Sequence, residues 1–126
     1  MGVILAKPLA SGGDFNTTVT NITTPIVVDM VNTGLVLAVK WLIHIHRADD
    51  EDVKKYIEIS AAHDGFTTDA VNVKYNKSAI LRFGNIPNLN IDVQLNGSGI
   101  NQTMDLVMTS PINAVDVHLT RTIIIK

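Results

Sequence analysis

At 126 residues the chain is long enough for one buried core and too short for two. Hydrophobic residues make up 46% and charged residues 17%, the balance of a globular rather than a disordered chain. A net charge of −2 with scattered Lys and Arg argues against nucleic acid as a partner, and the absence of cysteine excludes disulfides, thiolate zinc sites and cysteine nucleophiles.

Residues 1–25 differ in composition from the rest. The stretch "ASGGDFNTTVTNITTP" is rich in Gly, Asn and Thr, which suits an extended N-terminal arm or an edge strand better than a packed element. Val3, Ile4 and Leu5 form its apolar tip and are expected to make contacts with a neighbour. The opening lacks the basic region and long apolar region of a secretory signal. No apolar run approaches the roughly 18–20 residues that span a bilayer, so no membrane is expected.

From Ile26 onward the hydrophobic period is two, the signature of strands. The runs are "IVVDMV", "GLVLAVKWLIHIHR", "VKKYIEISA", "AVNVKY", "AILRF", "NIDVQL", "MDLVMTS" and "AVDVHLTRTIIIK". Between them lie the turn sequences "NTG", "ADDED", "HDGFTTD", "NKS", "GNIPN", "NGSG" and "SPIN". Residues 26–126 are therefore expected to form one all-β domain, an antiparallel β-sandwich of about eight strands with jelly-roll-like or immunoglobulin-like topology. The closing "TIIIK" is apolar on both faces, which predicts cover on both, and makes Ile123, Ile124 and Ile125 candidate subunit contacts.

The stretch "WLIHIHRADDEDVKKYIEI" carries the densest chemistry. On a strand, Leu42, His44 and His46 share one face, so two imidazoles two residues apart can reach one metal ion. With Glu51 following, His44 and His46 resemble the first metal motif of the cupins, which implies a metal-dependent enzyme on a β-fold. The match departs from that motif at Ala38 and Glu58, where cupins place Gly. The second cupin motif has no counterpart around His63 or His118. The simpler expectation is a polar hairpin with no metal or other cofactor, in which His44 and His46 pair across to Tyr56 or Glu58.

Other constellations are weaker. Ser60, His63 and Asp64 are close in sequence, but a triad depends on spatial geometry. The "AHDGFTTD" segment, with His63, Asp64 and Phe66, is the best candidate for a carbohydrate or host-surface binding module. Trp41 lies on the apolar face of its strand and is expected in the core. No residue is assigned a catalytic role, and a non-enzymatic protein is expected.

The last third is similar to the C-terminal half of small β-sandwich proteins of tailed-bacteriophage particles. The matching pieces are Gly97 and Gly99 in a turn, the strand Met104 to Ser110, and the closing Val-x-Val-x-x-x-Arg strand from Val115 to Arg121. The resemblance implies a structural virion component, such as a capsid-decoration, head-fibre or neck/tail protein. It would be a homo-oligomer that touches other virion proteins and is assembled in the host cytoplasm.

Overall fold

The computed structural model describes residues 16–20, 22–86, 88–111 and 115–126. They form eight strands: β1 (Asn16–Thr20), β2 (Ile26–Asn32), β3 (Val36–Arg47), β4 (Asp50–His63), β5 (Val73–Phe83), β6 (Asn90–Asn96), β7 (Thr103–Thr109) and β8 (Val115–Ile125). A five-stranded sheet runs β1-β8-β3-β4-β5 and a three-stranded sheet runs β2-β7-β6. Every pairing is antiparallel. The chain is an all-β sandwich. First pairs with last strand in one sheet and second with next-to-last in the other, the nesting of a jelly roll. It departs from a regular one because β4 and β5 stay in the sheet of β3.

Alternation builds the core directly. Along β3, Val39, Trp41, Ile43 and Ile45 point inward, and so do Ile57, Ile59 and Ala61 on β4 and Val115, Val117 and Leu119 on β8. The small sheet answers with Ile91 and Val93 of β6 and Met104, Leu106 and Met108 of β7. Between the sheets lies a buried charged cluster. Arg121 Nη1 donates to both oxygens of Asp29, at 3.0 and 2.9 Å, and to the Met30 carbonyl. Trp41 Nε1 donates to Asp29 Oδ2 at 2.8 Å. Burial pushes the Asp29 carboxyl above its ordinary value, and Arg121 and Trp41 pull the other way.

Asp29 reaches that position through a β-bulge. The register of β2 on β7 shifts between Val27 and Asp29, so Val28 is an extra residue. Strict alternation from Ile26 would turn Asp29 outward; the bulge turns it in, opposite buried Leu106.

Two sequence expectations change. The "NKS" segment is not a turn: Asn76, Lys77 and Ser78 lie mid-strand in β5, paired with Ser60, Ile59 and Glu58. Polar residues fit there because β5 is a sheet edge. The "ADDED" turn is shorter than expected, because Asp50, Glu51 and Asp52 already belong to β4. Of the N-terminal segment, Asn16–Thr20 is the edge strand on β8, and Val3, Ile4 and Leu5 lie outside the described residues. In the single chain Ile123 of the "TIIIK" run is 7% exposed, whereas Ile124 and Ile125 are 60% and 50% exposed.

Candidate functional site

The outward face of the large sheet carries the chemistry. Along β3 it presents Ala38, Lys40, Leu42, His44 and His46, alternating with the core residues. At the Ala38 end lies an open apolar trough of about 590 Å³, lined among others by Ala38, Ala62, Tyr75 and Ile124. At the opposite end lies a cluster of three histidines.

Strand register assembles that cluster. His44 on β3 stands between Tyr56 of β4 and His118 of β8, while His46 stands between Lys54 and Asp116. The ring centres are 5.4 Å apart for His44 and His46, 5.7 Å for His44 and His118, and 5.3 Å for His46 and His118. One potential ligand atom from each of the three lies within 4.8 Å of the others. The Tyr56 ring packs 4.7 Å from that of His44. His46 Nε2 lies 3.7 Å from Asp116 Oδ2, and its Nδ1 is buried without a hydrogen-bond partner.

Burial, followed by the fields of His46, His118 and Lys54, pushes the His44 imidazole below its ordinary value. That direction favours the neutral ring, whose lone pair can bind a cation. Three imidazoles on one face can ligate a metal ion, which like charges on three protonated rings would oppose.

The expected partners of His44 and His46 are partly replaced. Tyr56 does lie across from His44, but Glu58 faces Leu42 and approaches Lys40 at 3.8 Å. Glu51 sits at the exposed hairpin and is not in the three-histidine group. The third member is His118, which the sequence places outward by alternation between Val117 and Leu119. No local motif announces it, because its neighbourhood to His44 is created by the pairing of two strands more than 70 residues apart in sequence.

The "AHDGFTTD" segment is occupied by its own hydrogen bonds. Gly65 N–H donates to His63 Nδ1 at 3.1 Å, which leaves the ring proton on Nε2, 2.7 Å from the Val36 carbonyl. Asp64 accepts from the Asn72 and Val71 amides and from the Asn72 side chain. These bonds, those of Asn72 foremost, hold its carboxyl down at about 2. Ser60 and His63 fall on opposite faces of β4, so the two do not form a nucleophile–base pair. Phe66 is exposed, and the Lys126 ammonium lies 4.6 Å from its ring centre.

No protein-family model matches the chain, and no curated protein matches it in sequence.

Proposed function

We propose that this chain is a non-enzymatic structural part of a tailed-bacteriophage particle, and that it works through contacts between copies of itself. The observation that carries the proposal is the outward face of the large sheet. Leu42, Leu81, Phe83 and Ile124 stand on it between 45% and 60% exposed; Ile124 lines the apolar trough at one end, and Leu81 and Phe83 stand toward the other, level with Tyr56 and Lys54. A face of this kind on a small domain marks an interaction surface.

Charge supports a second copy as the occupant. Lys40 and Lys74 line the trough, and the exposed acidic run Asp49, Asp50, Glu51 and Asp52 lies at the far end of the same sheet. Head-to-tail packing brings one end of a copy to the other end of the next, and such heterologous contacts form a ring where the rotation between copies closes. The resemblance of the segments around Gly97, Met104–Ser110 and Val115–Arg121 to phage sandwich proteins supplies the particle context.

The test is native mass spectrometry and negative-stain imaging of the purified full chain, beside Ile124→Asp. A closed oligomer is expected for the wild type, and a folded monomer for the variant. A wild-type monomer up to millimolar concentration, indistinguishable from Ile124→Asp, would overturn the proposal.

A further inference from the structure

We propose that His44, His46 and His118 form a three-imidazole binding site for a divalent transition-metal ion, zinc in the first place, on the outer face of the large sheet. Three of the four histidines of the chain converge there. Three imidazole nitrogen donors with a fourth position facing solvent are the donor set of an open zinc site. Imidazole ligands without carboxylates favour zinc, copper and nickel over magnesium and calcium.

The ring spacing is close to that of a loaded site, although the His46 and His118 rings lie stacked at 9° and must turn to ligate one ion. Zn–N bonds of about 2.0–2.1 Å put imidazole centres about 5 Å apart around a tetrahedral ion, against the 5.3–5.7 Å found. The ligand nitrogens, within 4.8 Å of one another, must draw in to about 3.3 Å for those bond lengths. Rotation about χ2 supplies this, since that torsion is soft in histidine, and the three side chains are only half-buried.

His46 shows what a ligand histidine needs on its other side. Asp116 flanks Nε2 at 3.7 Å, and Nδ1 is a buried nitrogen with no protein partner. A metal ion on Nδ1 would satisfy it, and the Asp116 carboxylate would then orient the ring from behind, as outer-shell carboxylates do for ligating histidines. The neighbouring charges are Lys54, opposite His46 on β4, and Asp116 on β8. Tyr56 walls the site on the β4 side. The site does not depend on the assembly reading: a monomer that binds zinc keeps this proposal and overturns the other.

The experiment is calorimetric titration of the chelator-treated full chain with ZnCl2, with melting curves recorded in parallel. One ion per chain is expected, together with a zinc-dependent rise in Tm. Asp116→Asn should weaken binding by roughly 10–100-fold, and His118→Ala by more than that. His118→Gln provides a second variant of similar bulk, and its far-UV spectrum reports folding. Binding by His118→Ala and His118→Gln as tight as wild type overturns the proposal, since the ion would then sit elsewhere, as on the acidic hairpin. Equal competition by CaCl2, or no heat and no shift in Tm with zinc, overturns it as well.

Discussion

At the scale of single residues, two carboxylates show opposite ways of being held. Asp29 is fully buried against Arg121, whose side chain is equally inaccessible. Removing one partner leaves an uncompensated charge in the core. Arg121→Met is therefore expected to destabilise the fold by about 3–5 kcal/mol, measured by urea unfolding. Adding Asp29→Leu should recover much of that loss, because the apolar pair has no charge left to desolvate. A single variant as stable as wild type would show the pair to be dispensable. Asp64 is exposed, and its carboxyl is held at about 2 by the Asn72 and Val71 bonds. Its folded value lies below the unfolded value of about 3.9. The stabilisation it gives is thus complete above pH 4 and lost as pH falls toward 2. The protection of the Val71 and Asn72 amides relative to their intrinsic exchange rates should hold down to about pH 4 and fall below it, and Asp64→Asn should abolish that dependence. Exchange that is independent of pH-linked opening in the wild type would contradict the assignment.

At the scale of elements, alternation decides which apolar residues carry stability. Neighbours in β8 differ sharply, with Ile123 buried and Ile124 exposed. Ile123→Ala should cost about 2–4 kcal/mol through lost burial and the cavity left behind. Ile124→Ala should change the stability of the isolated chain by less than about 0.5 kcal/mol. Equal costs would mean that the outward face of β8 is also packed. The exception to alternation is β2, where the Val28 bulge rotates Asp29 into the core. Nothing in "IVVDMV" announces that bulge: a strict period of two leaves Asp29 beside Val27 and Val31, facing away from Trp41. The inward rotation is favoured because Trp41 Nε1 and Arg121 both need an acceptor there. The long β5 was misjudged for a related reason. "NKS" has turn chemistry, but an edge strand tolerates polar residues on both faces, and β4 offers an unbroken ladder of partners.

At the scale of the whole molecule, the pairings are mostly long-range. β8 lies between β1 and β3, so the two ends of the described chain must meet before the large sheet is complete. Topologies of this kind fold in milliseconds to seconds. Both sheets also share one core, which joins them into a single cooperative unit. Trp41, the only tryptophan and fully buried between the sheets, reports on that core. Its fluorescence and the far-UV signal should give coincident unfolding curves. Separate transitions would mean that the three-stranded sheet opens on its own. The Tyr75 hydroxyl, which donates to Asp92 at 2.8 Å, ties β5 to β6 across the sandwich and works against such opening.

The sequence by itself determined the all-β class, the places of most strands and, through Trp41, the inward face of β3. A period of two is a local property, and burying one face of a strand requires nothing else. It also identified His44 and His46 as neighbours on one face, because residues two apart on a strand always are. Only the tertiary structure decided that His118 is the third member and that Glu51 is not. Two adjacent strands set side by side bring together residues 74 positions apart (118 − 44), and register across such a distance is fixed by the packing of the whole sheet. The same holds for Asp29, Trp41 and Arg121, which come from β2, β3 and β8 and meet only because two sheets close on one another.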